Sequence, residues 1–213
     1  MLYKKFLFSL FIVLLSFFIQ ACESLTDDEQ PIDYNQVEVD VKSTVLKGIV
    51  KINSFAFGVI INKEGNKFYV VGGINAVGSL NTHTISDYNG NEYEAFVEKK
   101  DRAKYLVLMS FESDSDLAVL SLSQTPPEQV HDILSIGNNN AVYFGIAEKD
   151  EYNSSLDTIL FSHNAQSNTL NNSAIVFDFS GLVVGIEIAS SKLVTNNRST
   201  RFGVSSISIR DFI

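Results

Sequence analysis

The run from Leu170 to Ile188, LNNSAIVFDFSGLVVGIEI, sets the terms for the rest of the chain. Ile175-Val176-Phe177 and Leu182-Val183-Val184 are short apolar runs rich in β-branched and aromatic side chains, and Ser180-Gly181 between them is turn punctuation. That pattern predicts two strands joined by a tight turn, with the hairpin buried. A polar loop, Asn164 to Ser173, precedes it and holds a hydroxyl, that of Ser173, directly before the first strand.

The same alternation of short apolar runs and turn signals extends through the chain from Val37. Strands are expected over Leu46 to Ile52, Phe55 to Ile61, Phe68 to Val71, Thr82 to Ser86, Glu92 to Val97, Tyr105 to Met109 and Leu117 to Leu122. Asn89-Gly90 marks a hairpin turn between the fourth and fifth of these. Pro126-Pro127 then interrupts regular structure and reads as a crossover. Ala141 to Ala147, Leu156 to Phe161, the hairpin and Arg201 to Ile207 form a second group. Many short strands with little helical periodicity indicate an all-β domain. Periodicity by itself does not choose between two barrels and a sandwich.

The first 22 residues have another character. Lys4-Lys5, the apolar run Phe6 to Ile19 and Ala21 before the sole cysteine, Cys22, have the anatomy of a leader peptide. Ile19-Gln20-Ala21-Cys22 resembles a bacterial lipobox. The resemblance implies a signal peptide over 1–21, lipid on Cys22 and attachment to the extracytoplasmic face of a bacterial membrane. Residues 22–36, acidic and without apolar periodicity, are expected to be a flexible tether. The net charge is −9, or −11 once Lys4 and Lys5 leave with the leader, and no basic cluster stands out. That balance argues against nucleic acid, whose phosphates demand grouped Lys and Arg. With one cysteine and three scattered histidines, metal-ligand spacing is missing, so neither metal nor cofactor is expected. Glu112, Asp114 and Asp116 lack the glycine and distal Glu of a calcium loop.

Five segments in order carry a family resemblance. They are Phe57 to Gly65, Glu92-Tyr93-Glu94-Ala95, Asp116 to Leu120, Val183-Val184-Gly185-Ile186 and Phe202-Gly203-Val204-Ser205. Together they resemble the trypsin-like serine peptidases of the bacterial HtrA kind, over about residues 44 to 209. The resemblance implies two six-stranded β-barrels over 37–213, the first about 37–123 and the second about 130–213, with a site in the cleft between them. In that family an EYEA-type strand is followed by a DLAVL-type strand whose Asp orients the general base.

Carried over residue by residue, the triad is degenerate. Asn75 falls where the family has its His, Asp116 matches the orienting Asp, and Asn172 falls at the nucleophile, with Ser173 one residue later. An amide cannot take and return a proton near neutral pH. His83 is expected to face solvent from a strand, His163 to be a loop residue near Ser173, and His131 to lie on the surface. The expectation is a tethered binding module that takes an extended peptide or protein segment in the cleft by strand addition. The rivals are a weakly active serine endopeptidase using Ser173 with an unusual base, and a surface scaffold or adhesin.

Overall fold

The computed structural model describes residues 31–137, 140–154, 158–165, 173–188 and 200–213. The expected leader, the expected lipidation site Cys22 and the expected tether through residue 30 lie outside the described residues, as do Leu170, Asn171 and Asn172. Among the described residues no helix is long and apolar enough to cross a membrane.

Asn35–Ile213 is a compact unit dominated by strands. Strands β1 (Ile49–Ile52), β2 (Ala56–Glu64), β3 (Lys67–Gly73), β4 (Thr82–Ser86), β5 (Glu92–Asp101) and β6 (Leu106–Glu112) close into one antiparallel barrel, in the order β1-β2-β3-β6-β5-β4. Strands β7 (Asp132–Ile136), β8 (Val142–Asn153), β9 (Thr158–His163), β10 (Ile175–Asp178), β11 (Val183–Glu187) and β12 (Arg201–Ser205) close a second. Its order, β7-β8-β9-β12-β11-β10, repeats the connectivity of the first. The all-β expectation holds, and two closed six-stranded barrels are compatible with a chymotrypsin-like fold.

Three features depart from the strand pattern. Residues Tyr34–Val45 form a helix, α1, where strands were expected from Val37 and tether through residue 36. Val37, Val41 and Val45 recur every four residues, and the last two are buried while Val37 is half-buried against the same cluster. Their β-branching suggests strand; their spacing gives a helical stripe, reinforced by Lys42 on Glu38 at 2.6 Å. Second, Leu117 to Leu122 joins neither barrel. It is an extended strap whose Leu120 N–H donates to Ile60 O at 2.8 Å and whose Leu122 bridges Val183. Third, the expected strand to Ile207 stops at Ser205, which caps a closing helix, α3 (Ser206–Arg210). A one-turn helix α2 (Pro127–Val130) stands at the crossover.

The cores explain why the apolar runs are unbroken. Val50, Ile60, Val70, Val107 and Phe111 fill the first barrel, and Ile133, Phe161, Val176 and Val184 the second. Their chain neighbours Val59, Val71, Leu106, Leu134, Ile175, Phe177 and Val183 point the other way, into a third cluster between the barrels. Successive strand residues face opposite sides, and here both sides are buried. Helix α1 adds Val41 and Val45 to that seam, and Ile209 and Phe212 add the C-terminus.

Phe161 shows how tight the second core is. Its ring lies across Gly185 of β11 and Gly203 of β12, and a Cβ on either glycine would sit 2.5 or 2.6 Å from a ring carbon. Only hydrogen fits at those two places.

Candidate functional site

The β2–β3 ladder starts at Gly58↔Gly72, one residue after Phe57. Ser173, at the threshold of β10, meets Phe57 across the seam. Phe57 N–H donates to Ser173 Oγ at 3.0 Å, and the Ser173 hydroxyl donates to Phe57 O at 3.3 Å. Ser173 is 6 % exposed. Its hydroxyl therefore satisfies two buried backbone groups of the other barrel, which would otherwise go unpaired. Beside it is a cavity of about 20 Å³, lined by Phe55, Asn75, Tyr105 and Ile188 among others. That is room for one water, not for a substrate side chain.

Asn75 reaches this cavity from a 3-10 turn, Ile74–Ala76, that follows β3. The structure thus brings Asn75 and Ser173 to one place. Asp116 is elsewhere. The strand after β5 is β6, with Tyr105 immediately before it, whereas Asp116 comes after β6, just ahead of the strap. The Asp116 side chain is 88 % exposed and pairs with Lys47 at 2.5 Å. That hydrogen bond holds its carboxyl below the usual carboxylate range and raises Lys47 in turn. The resemblance gave Asp116 the orienting role; in the structure Asp116 does not line the cavity that Asn75, Ser173 and Tyr105 share.

Tyr105 was not singled out by the sequence. It has φ of 60°, rare for a bulky side chain, and Ile74 N–H donates to its carbonyl at 2.9 Å. The strand order could have found it, because the apolar run Leu106 to Met109 directly follows the EYEA strand and its turn.

The three histidines are all away from the Ser173 hydroxyl bonds. His83 does not face solvent: it is 7 % exposed, on β4. Asn53 Nδ2 approaches His83 Nδ1 at 3.0 Å, and His83 Nε2 approaches Leu80 O at 3.1 Å. Leu80 O only accepts and Asn53 Nδ2 only donates, so the proton sits on Nε2 and Nδ1 accepts. Asn53 also donates to Ala76 O at 2.8 Å, tying this ring to the turn that bears Asn75.

His163 is not a loop residue. It ends β9, is 1 % exposed, stacks on Phe161 at 5.5 Å and, among the described residues, has no hydrogen-bond partner on either nitrogen. Burial, aided by the charge of Arg201 opposite, pushes its pKa down to about 3. His131 is exposed, as expected, just before β7.

Next to the small cavity, and sharing Asn75 with it, is a groove of about 900 Å³. Phe55, Leu80, His83, Glu92 and Glu94 contribute to its walls, and Phe55 and Leu80 are exposed apolar side chains. Strand β4 pairs with β5 over its whole length but with β1 only at Ser86 and Ile85. Asn53 covers Thr84 on that side, donating its N–H to Thr84 O at 2.8 Å. Thr82 has no strand neighbour there among the described residues.

Among the described residues no group of three or more His, Cys, Asp or Glu is placed to hold a metal ion. Comparison with known proteins adds no name to this geometry: neither a protein-family model nor a curated protein matches the chain.

Proposed function

We propose that this chain is a membrane-tethered lipoprotein of trypsin-like fold that has lost catalysis and binds an extended peptide beside the former active site. The observation that carries the reading is the state of Ser173. Its hydroxyl is committed to both backbone groups of Phe57, with an amide, Asn75, and a phenol, Tyr105, as its cavity neighbours. A serine nucleophile needs a base within hydrogen-bond reach and an open approach for the acyl carbon. Here the hydroxyl is buried and the adjoining space admits about one water.

The groove on the first barrel supports binding. It has a volume of about 900 Å³ and exposed apolar walls, and it borders the side of β4 that has no strand neighbour at Thr82 among the described residues. Main-chain pairing to such an edge gives affinity with little side-chain demand. The lipid on Cys22, in this reading, holds the groove near the membrane, with two or more acyl chains for a stable anchor.

Covalent labelling of the full chain by a fluorophosphonate probe tests the central point. No labelling of folded protein is the expected result. Stoichiometric labelling that disappears in Ser173→Ala would return the chain to the active endopeptidases and sink the binding-only reading.

A further inference from the structure

Sharing Asn75, Gly78 and Ser79 with the large groove is a second surface cavity of about 530 Å³, whose lining does not include Glu92 or Glu94. Ile74, Asn75, Ser79, Lys100, Arg102 and Tyr105 line it, and no Asp or Glu does. Four of the chain's 16 basic residues, Lys99, Lys100, Arg102 and Lys104, fall within six positions around the β5–β6 turn, a concentration that the linear reading passed over. On a chain of net charge −9, that turn is a local reversal of sign beside the candidate site.

The two cations of the cavity are not equivalent. Lys100 Nζ donates to Gly78 O at 3.2 Å and to Leu80 O at 3.0 Å, so it fastens the segment that separates this cavity from the large groove. One of its three protons is left for a ligand. Arg102 is exposed, and among the described residues its guanidinium makes no hydrogen bond or ion pair. A planar fork of donors in that state suits a carboxylate. Lys99 is occupied elsewhere, over the Phe212 ring at 4.7 Å.

We infer that the cavity of Lys100, Arg102, Ser79 and Tyr105 is a carboxylate subsite, which receives an acidic group of the peptide held in the neighbouring groove. Charge complementarity fixes the direction. Among the described residues the groove wall with Glu92 and Glu94 has no Lys or Arg, and the second cavity has no acid. A bound peptide therefore lies with its carboxylate past Asn75 and its neutral or basic residues over the Glu wall. The carboxylate is either the peptide's own C-terminus or an Asp or Glu side chain. The inference rests on the peptide-binding reading above.

The test measures fluorescence anisotropy of the full chain in detergent with three fluorescein-labelled randomised octapeptide libraries. One has acidic residues and a free C-terminus, one has acidic residues and an amidated C-terminus, and one has a free C-terminus but no Asp or Glu. The first binds best. Whichever of the other two falls to background names the source of the carboxylate. Arg102→Glu weakens the first library about tenfold or more, while Arg102→Lys retains most of the affinity. Because Arg102 is exposed and unbonded, neither variant threatens the fold; circular dichroism checks that. If all libraries bind alike and Arg102→Glu changes none, the carboxylate subsite is wrong and peptide binding stands. If no library binds the wild-type chain, both fail together.

Discussion

Replacing His163 by leucine should make the chain more resistant to acid, by an amount the structure fixes. The imidazole is fully enclosed, without a hydrogen-bond partner among the described residues, and held neutral to a pKa of about 3. In the unfolded chain it takes its proton near pH 6.5. Between those values the unfolded state binds one more proton than the folded one, so stability falls as pH falls below about 6.5. Above that pH the group is neutral in both states and contributes nothing to the slope. The loss grows to about 2 kcal/mol at pH 5 and about 3 kcal/mol at pH 4, at 1.36 kcal/mol per unit. For a urea slope of about 2 kcal/mol per molar, the pH 5 figure moves the midpoint by about 1 M.

Other groups near this end of the barrel titrate too, which is why the comparison must be a difference. Glu187, buried on β11, lies 3.8 Å from Arg201, and Asp150, half-buried on β8, has its carboxyl raised mainly by desolvation. A raised carboxyl works against the histidine trend, since it favours the folded state as pH falls. Subtracting the His163→Leu curve from wild type removes that contribution and leaves the imidazole alone. Urea midpoints measured from pH 7.5 to pH 4 should therefore diverge, with the variant ahead at the acid end. Parallel curves would refute the reasoning. So would a His163 ring resonance that titrates near pH 6.5 in folded protein.

Three further outcomes follow from contacts at the seam and in the leader. Ser173→Ala leaves Phe57 N–H buried without its acceptor, and should cost about 1–3 kcal/mol in urea unfolding while the fold persists. Gly185→Ala drives a methyl into the Phe161 ring and should lower stability by about 1–3 kcal/mol or more, measured by thermal melting. Cys22→Ser should abolish incorporation of labelled palmitate in a bacterial host and release the domain from the membrane fraction; retention of label would refute lipid attachment at that residue.

Much of the strand inventory was legible because β-branched runs and turn residues act locally. Asn89-Gly90 is an example: Gly90 has φ of 84°, and the Asp87 carboxylate accepts from Asn89 N–H and Asn91 N–H at 2.8 and 2.9 Å. Barrel closure came from the family resemblance and not from periodicity, since runs such as Val70-Val71 are buried on both faces and carry no alternation to reveal what each face meets. Helix α1 was hidden by valines that prefer strands but stand four apart. Strand β7, Asp132–Ile136, was overlooked in the shadow of the two prolines. The letters Asp116 to Leu120 resemble a family strand, yet in the structure Leu117 onward is an extended strap, and the strand that follows β5 is Leu106–Glu112. The partner of Ser173, a backbone amide more than a hundred residues away, leaves no mark in sequence at all.

The seam between the barrels makes neither half autonomous. Strands β2, β3 and β6 of the first barrel and β7, β9, β10 and β11 of the second send alternate side chains into the shared cluster, so a wound at Val71 or Phe177 is felt in both halves at once. The chain thus behaves as a single lock with two tumblers rather than as two modules on a hinge, and its groove is carried on a frame that yields all together. The Ser173 hydroxyl, bonded to both backbone groups of Phe57, is one of the contacts that hold that frame shut.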